Sequence, residues 1–142
     1  MARFRPHRRF RLADSAQQVV GGFLLAGPFV VTEEVWVLAE SMNVYQALLT
    51  VAIVFTIGYA ALYKAADRDP EDDFELAGVP ARFASLMLVS YGAVLVLAVA
   101  FDAPGTFLAD LPPRRTAVVT AKAVGIGAVF SVVGAATADS VF

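Results

Sequence analysis

Three ionisable residues stand inside apolar stretches of this chain and could do chemistry there: Glu33, Glu34 and Lys122. A charge held at mid-bilayer costs about 2.5–3.5 kcal/mol on insertion scales, so a residue kept there is a candidate for ion or proton work. A carboxylate can take up a proton or bind a cation, and an ammonium at the same depth can serve as its counter-charge. Thr32 and Trp36 flank the two acids and could complete an ion- or substrate-binding site. Other chemistry is poorly provided for. The chain has no cysteine, hence no thiolate nucleophile, disulfide or Cys-based zinc site. Its single histidine, His7, lies in a basic tail, so one chain offers no multi-histidine metal cage. No phosphate-cradling loop, nucleophile elbow or catalytic histidine pair occurs. Enzymatic activity, a cofactor and a metal site are therefore not expected.

The elements that must hold these residues are membrane helices. Apolar residues make up 58 % of the 142 positions and charged residues 17 %, against about 45–50 % and about 25 % in soluble domains. Mean hydropathy is +0.68. The charges bunch mainly at residues 3–14 and 64–82, with bilayer-wide gaps between. That spacing predicts an all-α polytopic membrane protein, a bundle of four transmembrane helices forming one domain over residues 1–142. The spans are expected at 15–39, 44–64, 82–101 and 116–138, with a basic tail over 1–14 and an acidic cytoplasmic loop over 65–81.

Span 1 decides where the two acids sit. Val19 to Val31 supplies 13 residues, too few to cross a core that needs about 20. The helix reaches that length only by running through Glu33 and Glu34 to Leu38, which draws both acids into the membrane. Gly27 and Pro28 predict a kink, because proline removes one backbone bond and crowds the carbonyl of Leu24. At about 1.5 Å per residue, Glu34 and Lys122 both lie some 8–9 Å below the outer interface. An ion pair between spans 1 and 4 is thus available, within or between subunits. Glu34 shares a face with Gly27 and is expected to look into the bundle, with Glu33 nearer a cavity or the interface. The plainer alternative has both acids snorkelling to the headgroups and Trp36 serving as aromatic belt.

The rest of the chain sets topology and packing. Residues 40–43 are a short turn that makes spans 1 and 2 an antiparallel hairpin, and Tyr63–Lys64 looks like an interfacial anchor. The acidic loop reads as solvated; DPEDDFE lacks the ligand spacing and central glycine of a calcium loop. Such acidity also suits a high-salt cytoplasm. On span 4, Thr120, Gly127, Ser131, Gly134 and Ala138 form a small-residue stripe for close helix contact. With few partners for it inside one chain, a homo-oligomer is expected. The N-terminal arginines Arg3, Arg5, Arg8, Arg9 and Arg11 read as a cytoplasmic flank touching anionic lipid headgroups, not as a signal peptide or a nucleic-acid site. With Lys64, Arg68 and Arg82 they place eight bases on one side, against Arg114 and Arg115 on the other. That excess predicts a multi-pass protein of the cell membrane with both termini cytoplasmic.

Gly27, Pro28, Thr32, Glu34 and Trp36 form a pattern of Gly-Pro followed by Thr-x-Glu-x-Trp. In this the chain resembles a family of small prokaryotic, archaeal-type integral membrane proteins of unknown function. The match covers about ten residues of span 1 and, loosely, the multi-span hydropathy. Glu33 occupies a position where the family pattern has an apolar residue. The resemblance implies a membrane protein and ranks Glu34 above Glu33; it implies no activity or substrate.

Two functions follow from these residues. One is an oligomeric ion- or proton-linked transporter or channel, with Glu34 as the site and Lys122 as its counter-charge. The other is a non-transporting scaffold or accessory subunit in which Glu34 and Lys122 form a structural pair.

Overall fold

A computed structural model of the protein describes residues 12–65, 69, 75–76 and 78–141. The N-terminal arginines and most of the acidic loop lie outside the described residues, and with them the expected headgroup contacts. Helix α1 is Leu12–Val30 and α2 is Glu33–Ser41. Helix α3, Val44–Tyr59, continues into a π-helical turn at Ala60–Ala65. A two-stranded antiparallel hairpin pairs β1, Glu75–Leu76, with β2, Val79–Pro80, across a turn where Gly78 takes φ 84°. Then come α4, Ala81–Ala100, the short α5, Ala103–Phe107, and α6, Pro113–Val141.

Among the described residues, three helical stretches are each long and apolar enough to cross a bilayer: Val44–Tyr63, Ala81–Ala100 and Pro113–Ser140. The pair α1 and α2, bent by 81°, makes a fourth where the two count together as one span. The fold is thus an all-α membrane bundle. Its outer surface is apolar, as acyl-chain solvent requires: Leu48, Leu49, Ile53 and Phe55 on α3 and Leu88, Val96 and Val99 on α4 all face outward.

Helix α6 is the axis, and α1, α2, α3 and α4 all pack against it. Small residues allow the closest of these approaches. A Cβ on Gly21 would overlap the carbonyl oxygen of Gly134, and a Cβ on Gly134 would overlap that of Gly21. The two backbones therefore touch directly, as small-residue crossings in membranes do. Gly127 makes room in the same way for Val94 of α4. The stripe on α6 is thus filled by α1 and α4 of its own chain. That removes the argument that it needs a second copy.

The first span is not the single kinked helix expected over 15–39. Helix α1 runs through Pro28 and ends at Val30, and α2 leaves it at 81°. The turn falls at Val31 and Thr32, after the proline and not at it. The missing length is found at the other end, where α1 begins at Leu12 and includes three residues assigned to the tail. Nineteen residues at about 1.5 Å each give a helix nearly as long as the hydrocarbon core is thick. Glu33 and Glu34 need not enter the membrane to complete the span.

Candidate functional site

The two ends of α1 present two different polar assemblies. At its C-terminal end, carbonyls released by the break need partners. Thr32 Oγ1 donates to Phe29 O at 2.8 Å, and Trp36 Nε1 donates to Val30 O at 2.9 Å. Trp36 is 1 % exposed and stacks on Phe107 of α5 with ring centroids 6.1 Å apart. It is neither aromatic belt nor site wall. It is the largest fully buried side chain and belongs to the core that docks α2 and α5 onto the bundle.

Helix α2 buries Val35, Trp36 and Ala39, which turns Glu33 and Glu34 away from the bundle. Both acids are exposed, and with Val37, Leu38 and Ser41 they line an open groove of about 350 Å³ on the outward face of α2. The expectation that Glu34 looks inward is overturned, because the inward face of this helix is filled by Trp36. Within the chain the expected Glu34–Lys122 pair is absent as well. Lys122 Nζ donates to the carbonyl of Met42, and Arg115 Nη2 donates to that of Glu40 at 2.8 Å. The charges around α2 follow the helix dipole: acids in its first turn and bases at its last carbonyls. That arrangement accounts for Glu33, Glu34 and Lys122 without a ligand.

The other end of α1 holds the charges that are buried. Asp14 is 3 % exposed, Arg82 2 % and Asp139 3 %. Arg82 Nη1 donates to both Asp139 oxygens, at 2.8 and 2.9 Å. Its Nη2 reaches Asp14 Oδ2 at 3.4 Å. One guanidinium thus joins α1, α4 and α6. Its planar fork of donors suits two carboxylates at once, which a lysine ammonium would not. Next to it, Ser85 Oγ donates to Gln18 Oε1 at 2.7 Å. Ser15 Oγ lies 2.8 Å from Ser85 Oγ. Because Ser85 commits its one hydroxyl hydrogen to Gln18, Ser15 is the donor of that pair.

A row of buried residues continues inward from this end. Along α1 it runs Asp14, Gln18, Gly22, Ala26, Val30, one turn apart. On α6 the matching levels are Asp139, Ala135 and Ser131, and Ser131 Oγ faces Gly22. Gln18 Nε2 and Ser131 Oγ are buried without a hydrogen-bond partner in the protein. Polarity therefore fades from an ion cluster at one end to an apolar core by mid-bundle. Among the described residues no group of three or more His, Cys, Asp or Glu side chains could hold a metal ion.

Sequence reading missed this cluster because it left Asp14 in the tail, Arg82 at the start of the third span and Asp139 beyond the end of the fourth. Two signals were present. The four-residue spacing of Asp14, Gln18, Gly22 and Ala26 extends the helix toward the N-terminus on one face. The topology also places the start of span 1, the start of span 3 and the end of span 4 on one side of the membrane.

No curated protein and no solved structure matches the chain. The family described as "Putative integral membrane protein (DUF2391)" matches residues 5–138. That is nearly all of the 142-residue chain, which belongs to this family of integral membrane proteins.

Proposed function

We propose that the protein is an ion- or proton-linked transporter or channel of the cell membrane whose working charges are Asp14, Arg82 and Asp139. The observation that carries this reading is the burial of three ionisable side chains, each at most 3 % exposed, on three helices of a membrane bundle. Such groups are costly in apolar surroundings and mark ion or proton pathways in membrane proteins. Guanidinium–carboxylate contacts can also be exchanged one for another, which gives a bundle alternative arrangements. Glu34 gives up the role of ion site, because it faces outward and has no buried counter-charge. Both termini lie in the cytoplasm in this reading. With Arg82 counted as a buried residue, seven bases remain on the terminal side against Arg114 and Arg115 on the other. The ion cluster then faces the cytoplasm and α2 the outside. Copies of the chain would assemble through α3, which exposes most of its apolar surface.

Flux through liposomes containing the purified protein tests the reading. Asp139→Asn is expected to abolish ion movement under a pH or voltage gradient, and Glu34→Gln to leave it unchanged. If no ion moves through the wild type, the reading fails.

Two observations favour a second reading, a non-transporting scaffold or accessory subunit. The backbone contact of Gly21 with Gly134 and the two basic ties on α2 make a closely packed bundle. In that case the cluster is a structural lock. Wild type carries no flux, and Arg82→Met combined with Asp14→Asn and Asp139→Asn is more stable than Arg82→Met alone.

A further inference from the structure

We propose that the ion this protein moves is the proton, taken up and released by the Asp14 and Asp139 carboxylates around Arg82; this rests on the transport reading above. A metal cation needs a shell of several oxygens with no positive charge among them. Here both Asp139 oxygens are aimed at Arg82 Nη1, and Asp14 Oδ2 is aimed at Nη2. A metal ion would have to expel the guanidinium before it could bind. A proton needs no shell. It adds to one carboxylate oxygen while the second oxygen still accepts from Arg82.

The route inward also fits the proton alone. Beside the cluster, Ser15, Ser85 and Gln18 form an unbroken hydrogen-bonded chain with steps of 2.8 and 2.7 Å. One and two turns deeper than Asp14 stand Gln18 Nε2 and Ser131 Oγ, both on residues fully buried and both lacking a protein partner. These are the atoms at which a buried water completes a hydrogen-bonded path. A hydrated ion has no such passage, because Gly21 and Gly134 bring α1 and α6 into backbone contact alongside. Beyond Ser131 the buried residues Ala26, Val30, Val94 and Ala98 are apolar, and a proton crosses this part of the bundle only when the helices rearrange.

Among the described residues, the buried charged groups at the site are Asp14 from α1, Arg82 from α4 and Asp139 from α6. The chemical step is one proton added to one carboxylate oxygen and later released by the reverse step. No bond between heavy atoms changes.

The test uses full-length protein in liposomes with a pH-sensitive dye inside and a membrane potential imposed by potassium and valinomycin. The expected result is potential-driven acidification of the lumen that is unchanged when sodium is replaced by choline and chloride by gluconate. Asp139→Asn and Asp14→Asn each lower that rate by about tenfold or more, as loss of the ionisable group from a membrane pathway should. Flux that follows sodium or chloride and leaves luminal pH unchanged overturns the proton assignment while the transport reading stands. Absence of flux of any of these ions overturns the transport reading itself. Folding is checked by the emission of Trp36, the single tryptophan, which sits at the opposite end of α1. Where Asp139→Asn fails that check, Asp139→Glu keeps the charge on a longer arm. A displaced pH dependence of flux in that variant supports the proposal, and a wild-type pH dependence overturns it.

Discussion

Helix α1 carries polar residues at both ends, and the bundle treats the two ends in opposite ways. At the Asp14 end the charges are inside, each paired with a partner on another helix. At the Trp36 end the charges are outside, and what is buried is an indole capping a carbonyl. The difference lies in the partners available. Arg82 and Asp139 meet Asp14 from two other helices, so desolvation of one charge is offset by the others. Nothing on α4 or α6 offers a positive group beneath α2 on its inward face, because Lys122 and Arg115 are drawn to the carbonyls at its C-terminus. Burial of a charge in this bundle follows the presence of a geometrically matched partner and not depth along the hydropathy profile.

The sharpest way to break that comparison is to remove the shared partner. Arg82→Met leaves two buried carboxylates and is expected to cost about 3–5 kcal/mol, the usual result of breaking a buried pair from one side. Loss of helical signal on heating the detergent-solubilised protein measures it. Adding Asp14→Asn and Asp139→Asn should restore most of the loss. If Arg82→Met melts with the wild type, the cluster is not the organising charge of its end.

Next in size is the crossing that lets α1 and α6 align the cluster. Gly134→Ala forces a Cβ into the Gly21 carbonyl, an overpacking change expected to cost about 1–3 kcal/mol. Gly92→Ala provides the contrast. Its Cβ would meet nothing within 4 Å, so the substitution should be neutral or should stabilise by up to about 1 kcal/mol through helix propensity. Equal melting points for these two variants would dissolve the argument from close approach.

At the other end, Trp36→Phe keeps an aromatic ring but deletes the donor to Val30 O. A buried carbonyl left unpaired should cost about 1–3 kcal/mol. Faster protease cleavage at the Val31–Thr32 junction would show that α2 loosens. A variant with the wild-type cleavage pattern would mean that packing on Phe107 alone holds α2 in place.

The membrane bundle was legible in advance because it depends on one-dimensional spacing: apolar runs of bilayer length separated by bunched charges. The small residues Gly127, Ser131 and Gly134 were legible as a packing surface, since helical periodicity is local. What they pack on was not, because α1 hides Gly21 and Gly22 in an ordinary apolar stretch. The true start of span 1 was not legible for a physical reason. Asp14 and Gln18 lie before the apolar run that begins at Val19, and the Arg82 and Ser85 side chains that make them tolerable lie far along the chain. Trp36 was misread for the converse reason. A tryptophan near a membrane end usually faces the interface, but a helix break creates a free carbonyl that the indole can satisfy only by turning inward.

The smallest expected effects belong to the charges around α2. Glu34→Gln removes a negative charge from the first turn of a nine-residue helix, worth about 0.3–1 kcal/mol through the helix dipole. Lys122→Met removes the donor to the Met42 carbonyl at the opposite end of that helix, an effect of about 0.5–1.5 kcal/mol. The two side chains share no partner, so the double variant should lose the sum of the single losses within about 0.5 kcal/mol. A true ion pair would give a double variant more stable than that sum, because each single change would strand the other charge. The cycle therefore separates two accounts of the same two charges. Additivity leaves α2 as a cap oriented by its own dipole. Strong coupling would return Glu34 to the interior and move the working site of the bundle to the Trp36 end.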